Sequence, residues 1–277
     1  MNTSRLSALA LALFLAGCVT NGSKGSSSAD SSPIASVASA LGSVGGGSSS
    51  STDSKIGAAA DVFKAATVSD EELKAVSLQL RAYEERTEKV APANNKYAQR
   101  LARLTKKHVN EDGLKLNFKA YLSNEVNANA TADGSIRVYS GLMDMMNDQE
   151  LLGVIGHEIG HVKLQHSLSA MRTAYLASAG RKAASAAGGV GKLADSDLGA
   201  LGEKLVNSQF SQSQETASDD YGLAFMKKHN YKVSGMESAF RKLAAQSGGK
   251  GGALDEMLSS HPNPAGRADR MRDLAAK

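Results

Sequence analysis

The residues best suited to chemistry are His157, Glu158 and His161, in the run His157-Glu158-Ile159-Gly160-His161. On a helix, residues four apart share a face, so both imidazoles can bind one ion. Glu158, a quarter-turn away, can reach a water on that ion without ligating it. That is the place of a general base in metal-assisted peptide hydrolysis. Gly156 and Gly160 weaken such a helix by about 1 kcal/mol each against Ala. They also leave room for a second backbone or a substrate to approach. The bland alternative is a helix with two coincidental histidines.

A catalytic zinc needs three protein ligands and one open position. The chain has a single cysteine, Cys18, close to its start, so the third ligand must be His, Glu or Asp. The run Gln214-Glu215-Thr216-Ala217-Ser218-Asp219-Asp220-Tyr221-Gly222 looks helical and sets Glu215 and Asp219 on one face. Alone, such a pair is usually a solvated face. After an HExxH it fits a two-His, one-Glu site, with one zinc per chain on His157, His161 and Glu215. Asp219 then accepts a hydrogen bond from a ligating imidazole and fixes its tautomer.

These residues need elements to hold them. Asn147 as N-cap and Glu150 at N3 open a helix expected from about Asp148 to about Ser167. On one continuous helix His166 lies about 140° round from His161, at 100° per residue. It should face away from the metal in a structural role. Before this helix, Leu114–Leu122 alternates apolar and polar residues, as a half-buried strand does. Glu125–Ala130 is a second extended piece, Asp133-Gly134 supplies turn chemistry, and Ile136–Tyr139 returns. A short helix, Gly141–Met146, follows. Upstream, the capping box Ser69…Glu72 opens a helix toward Lys89 with Leu73, Val76, Leu80 and Tyr83 on one side. Pro92 ends it, and residues 94–108 form another helix, with His108 as a helix-end or core residue. Residues 174–202, rich in Ala, Gly and Ser, read either as a small-residue helix or as a mobile segment over the cleft. The whole is expected to be one α+β domain over residues 56–277, mostly helical, with a small antiparallel sheet.

Composition bounds the remaining possibilities. The 277 residues are 42% hydrophobic but only 5% aromatic, with no Trp, so the core must be built mainly from Leu, Val, Ala and Met. A net charge of +4, with no basic patch interleaved with aromatics, argues against nucleic acid as a partner. Past residue 18 no stretch has the roughly 18 apolar residues of a membrane span. Residues 1–17 read as a secretory leader, with Arg5 before the apolar run Leu6–Leu15. The leader ends in Leu15-Ala16-Gly17-Cys18, which resembles the lipobox of bacterial lipoproteins. That resemblance implies cleavage before Cys18 and a membrane anchor through lipid on its thiol. Val19, where an Asp would signal retention, points by resemblance to enterobacterial sorting toward the outer membrane. Residues 18–55 then form a lipidated tether. Positions 19–55 hold 14 Ser and 6 Gly, too little apolar surface to fold. As a flexible coil this stretch reaches about 35 Å.

With HExxH followed by ExxxD, the chain resembles the HtpX-like, CAAX-protease-related zinc metallopeptidases. Ile136–Met146 and Leu201–Gln212 carry the likeness further, and it covers roughly residues 56–275. The resemblance implies a zincin-like fold, metal ligands at His157, His161 and Glu215, a catalytic Glu158 and the motif aspartate at Asp219. Asn127-Ala128 matches the family strand on whose edge an extended substrate peptide would pair. His261-Pro262-Asn263-Pro264, followed by Arg267, resembles a late His-Pro segment whose histidine in relatives approaches the zinc, closing the site or contacting substrate. We read His261 as regulatory, because the Gly248–Gly252 run before it lends freedom of movement. The implied function is a lipid-anchored, periplasm-facing zinc endopeptidase acting on unfolded or misassembled envelope proteins. The rival expectation is a zinc-latched, chaperone-like binding module for outer-membrane protein assembly, with little turnover.

Overall fold

A computed structural model describes residues 68–179, 191–246 and 254–275. The expected leader, Cys18, the tether and the glycine run at 248–252 lie outside the described residues. Helix α1 (Asp70–Thr87) begins at the anticipated capping box: Ser69 Oγ accepts from the Glu72 N–H at 3.2 Å, and Glu72 Oε2 accepts from the Ser69 N–H at 2.9 Å. It buries Leu73, Val76 and Leu80. Helix α2 (Lys96–Thr105) is shorter than the expected 94–108. His108 lies beyond its end, buried, with Nδ1 2.8 Å from Glu111 and Nε2 2.8 Å from the Tyr231 hydroxyl.

The strands are β1 (Asn117–Tyr121), β2 (Ala128–Ala130) and β3 (Ser135–Tyr139), in the order β1-β3-β2. β2 and β3 form the expected hairpin, turning at Gly134 with φ +88°. β1 and β3, however, run parallel, so the sheet is mixed rather than wholly antiparallel. Alternation tells which face a residue takes, not which way its strand runs. Here β2 takes the edge and β3 the centre. β3 is buried throughout: Ile136 and Val138 join the main core, while Arg137 faces α1 and places Nη2 2.8 Å from Glu85. Lys119 from β1 reaches the same carboxylate at 2.6 Å. Burial pushes Glu85 up, but these two cations hold it below the ordinary carboxylate range.

Helix α3 (Ser140–Met145) leads into α4 (Asp148–Lys163). α4 opens on a second capping box, with Asn147 Oδ1 accepting from Gln149 and Glu150 and Glu150 accepting from the Asn147 N–H at 2.7 Å. Every residue from Glu150 to His161 is buried. The expected run to Ser167 does not hold. α4 stops at Leu164, Gln165 takes a left-handed φ of 61°, and α5 (His166–Ala179) starts in a new direction. The described elements continue with α6 (Asp195–Val206), α7 (Gln212–Lys228), α8 (Ser234–Gln246), α9 (Asp255–Ser260) and α10 (Pro264–Ala275). Of the small-residue stretch 174–202, the end of α5 and most of α6 are described, and 180–190 lie outside. Among the described residues no helix is long and apolar enough to cross a membrane.

Two apolar clusters result. The larger joins the sheet to α4, α7, α8 and α10 through residues such as Ile136, Ile155, Ile159, Phe225 and Met236. The smaller joins α1, α5 and α6 through Leu73, Leu80, Met171, Leu198 and Leu201. A cleft lies between them. Leu80, Met171 and Leu205 line it from the smaller cluster, Asn127 and the β2 residues Asn129 and Ala130 line it from the sheet, and Glu158 and His261 also border it.

Gly156 and Gly160 of α4 face α7. A Cβ on Gly160 would stand 3.1 Å from the Ser218 Cα, and one on Gly156 would stand 2.7 Å from the Phe225 ring and 3.3 Å from the Gly222 Cα. The space they leave is therefore filled by a neighbouring backbone, not by substrate. We expect Gly156→Ala to lower stability. Helix propensity returns about 1 kcal/mol, but overpacking costs about 1–3 kcal/mol, for a net loss of up to about 2 kcal/mol by urea denaturation. A variant more stable than the parent would show that Phe225 yields freely.

Candidate metal centre

His157 and His161 sit one turn apart on α4, and Glu215 lies in the first turn of α7, where the helix N-terminus favours an anion. The close helix contact aims all three at one point. His157 Nε2 and His161 Nε2 are 2.9 Å apart, and His161 Nε2 is 3.2 Å from Glu215 Oε1. His261, on the loop between α9 and α10, completes the ring: its Nδ1 is 3.0 Å from Glu215 Oε1 and 3.3 Å from His157 Nε2. All four residues are buried. Asp219, one turn along α7 from Glu215, holds the far side of His157, with Oδ1 2.9 Å from Nδ1. A carboxylate only accepts, so His157 carries its proton on Nδ1 and turns a bare Nε2 to the other three donors.

Three observations test whether a metal fits here. Donor atoms around a tetrahedral zinc with ordinary bond lengths lie about 3.3 Å apart, close to the separations found. The bare His157 Nε2 stands within 3.3 Å of His161 Nε2 and His261 Nδ1, where a cation would take up its lone pair. Finally, the site buries the carboxylates Glu158, Glu215 and Asp219 against one guanidinium, Arg267. When the carboxylates are ionised, the shortfall equals the charge of one divalent ion. Glu158 Oε1 is itself buried and without a hydrogen-bond partner among the described residues, 3.8 Å from His261 Nε2.

The electrostatics follow from this crowding. Burial raises the Glu158 carboxyl, the charge of Glu215 adds to that push, and His261 and His157 oppose it. Burial also pushes Glu215 up, yet the imidazoles gathered round it, His161, His261 and His157, hold it well below the usual range. Burial drives His161 far down, which keeps its imidazole neutral.

Arg267 was singled out in the sequence only as the residue trailing the His-Pro segment. In the structure it ties the acidic residues together. Nε and Nη2 reach Asp219 at 2.9 and 2.6 Å, and Nη1 reaches Glu215 Oε2 at 2.5 Å. The cue was its spacing: Pro264 starts α10, a usual first-turn place for proline, and Arg267 lies within that first turn. Phe210 also escaped notice. Its ring lies over His161 at a centroid distance of 3.9 Å, and its N–H donates to the Ser260 carbonyl at 3.2 Å, beside His261. His166 does not face away as the continuous helix required. The break at Gln165 swings it back, so that Nδ1 lies 3.2 Å from His161 Nδ1 and 3.1 Å from Ser218 Oγ.

A mid-helix His-Glu-His face opposite an acidic helix, under a cleft edged by a β-strand, defines a metallopeptidase site. The comparisons agree. The chain matches Peptidase family M48 over residues 92–275. It is 44% identical over 216 residues to Metalloprotease LoiP of Escherichia coli (strain K12), covering 77% of this chain and 84% of that protein. It is 40% identical over 227 residues to Metalloprotease YcaL of the same organism, covering 81% and 88%. A more distant likeness, 28% over 183 residues, is to the Beta-barrel assembly-enhancing protease of Yersinia pestis, of which the match covers 36%. The chain belongs to Peptidase family M48 and is a metalloendopeptidase.

Removing Arg267 would leave Asp219 and Glu215 buried without their cation. We expect Arg267→Ala to cost about 3–5 kcal/mol in metal-free protein, measured by urea denaturation with a chelator present. A loss below about 1 kcal/mol would mean that water or another cation replaces it.

Proposed function

We propose that the chain is a zinc endopeptidase, with zinc on His157, His161 and Glu215 and with Glu158 as general base. The observation that carries this is the convergence of those three donors beside the bare, buried Glu158 Oε1. Bound zinc would supply Lewis-acid polarisation of the scissile carbonyl and acidification of water. Glu158 takes the proton of the attacking water and hands it to the leaving amine. Asp219 holds His157 in the ligating tautomer. An extended substrate would pair with edge strand β2, which satisfies its backbone groups and lays it across Glu158. We further propose that lipid on Cys18 anchors the chain to the outer membrane, with the domain facing the periplasm, and that it acts on unfolded or misassembled envelope proteins. The lipobox-like Leu15–Cys18 run supports the anchor, and the distant relative named for β-barrel assembly supports the setting.

A second reading rests on His261. Its Nδ1 stands where a fourth donor would, so the cage has no open position. In this arrangement His261 is a latch, and a chain that stayed latched would hold clients as a chaperone-like module with little turnover.

One set of assays separates the readings: zinc content and cleavage of casein by wild type, Glu158→Gln and His261→Ala. For a peptidase, Glu158→Gln keeps about one zinc and loses at least about 100-fold in turnover. His261→Ala cleaves faster if the histidine is a latch and far more slowly if it steadies the transition state. A wild type without activity whose biological role survives Glu158→Gln would favour the holding module. The anchor is tested separately. Cys18→Ser should abolish acylation and processing at that site, and a mutant still recovered as a cleaved, acylated membrane species would refute it.

A further inference from the structure

We propose that His166 is a positioning residue for the metal centre, its Nδ1 accepting the Nδ1–H of His161 and so holding a bare His161 Nε2 toward Glu215 and His157. This rests on the zinc reading above. The argument is one of valence. A neutral imidazole has one N–H and one lone pair, and the partner of one nitrogen decides which the other presents. His161 Nε2 lies on the donor side, 3.2 Å from Glu215 Oε1. To bind an ion there, His161 must keep its proton on Nδ1. The ring is fully buried, and a buried N–H needs an acceptor. His166 Nδ1, at 3.2 Å, is the acceptor in place.

The site treats its two imidazoles differently. His157 is anchored by the carboxylate of Asp219. The neighbouring residue on α7, Ser218, has its Oγ 3.1 Å from the same His166 Nδ1, where its hydroxyl donates into the lone pair that the His161 N–H shares. Charge explains why a neutral acceptor suits His161. Three buried carboxylates already balance Arg267 and one divalent ion, and a fourth would leave an uncompensated buried charge. An imidazole gives the hydrogen bond without the charge. The chain reaches this arrangement through the left-handed Gln165 (φ 61°) between α4 and α5, which returns the side chain five residues beyond His161 to the same imidazole.

The test compares His166→Phe, which keeps the ring shape but has no acceptor, with His166→Asn, whose carbonyl can replace Nδ1. Zinc affinity of the full chain is measured by chelator competition, with thermal melting of the metal-free forms alongside. We expect His166→Phe to bind zinc about 10–100-fold more weakly, with metal-free melting unchanged and affinity restored in His166→Asn. Wild-type affinity in His166→Phe overturns the proposal, as does an equal loss in both variants. If His166→Phe does not fold, nitrogen NMR of labelled histidines in zinc-loaded wild type decides. A protonated His161 Nδ1 with a bare His166 Nδ1 supports the assignment, and a protonated His166 Nδ1 refutes it. A wild type that binds no zinc overturns the zinc reading and this inference together, whereas zinc-binding wild type with an unaffected Phe variant overturns this inference alone.

Discussion

The approach of α4 to α7 sets the rest of the molecule. Ser218 and Gly222 come against Gly160 and Gly156 so closely that one added methyl would meet a backbone or the Phe225 ring. Only at that separation do the imidazoles of one helix and the carboxylates of the other share one set of donor distances. The helix penalty of each glycine, about 1 kcal/mol, is offset by burial, since α4 is enclosed on all sides from Glu150 to His161. Cap and core act together here: the Asn147–Glu150 box fixes where the helix starts and therefore which face His157 and His161 occupy.

Bringing those groups together concentrates charge where water is scarce. Glu158, Glu215 and Asp219 are each about nine-tenths buried or more, and an isolated buried carboxylate is strongly unfavourable. The protein answers with one guanidinium bonded to two of them and with donor geometry suited to a divalent ion. Loss of the ion would leave the cluster net negative, so metal binding and folding are coupled at this point. Arg267 is what lets the two α7 carboxylates stay in register meanwhile.

Much of this was legible in the sequence because local rules apply. Both capping boxes, the Asp-Gly turn and the apolar spacing of α1 read directly. The spacings HExxH and ExxxD identified side chains that the fold then brings to one place. What could not be read were consequences of direction and of single backbone dihedrals. Period-two alternation is the same for parallel and antiparallel partners, so the mixed sheet was invisible. The wheel that turned His166 away assumed a helix through Gln165, and one positive φ reversed the answer. Arg267 and Phe210 reach the site from segments distant in sequence; the His-Pro turn before Arg267 marks its segment but not its contacts, and nothing beside Phe210 marks it as a neighbour of His161.

The division of the interior into two apolar clusters has a consequence for how the molecule breathes. The smaller cluster, of α1, α5 and α6, takes one small apolar residue, Ala132, from the β2–β3 turn and is otherwise tied to the sheet and its turn by side-chain polar bonds: Arg81 to Thr131 and Asn129, and Glu85 to Lys119 and Arg137. Such bonds are exchanged for bonds to water at modest net cost, whereas separating an apolar seam is not. The amides of α1, α5 and α6 should therefore belong to a different cooperative unit from those of α4 and α7. The cleft lies along that boundary, so the joint at which the protein most easily loosens is the one a polypeptide has to enter.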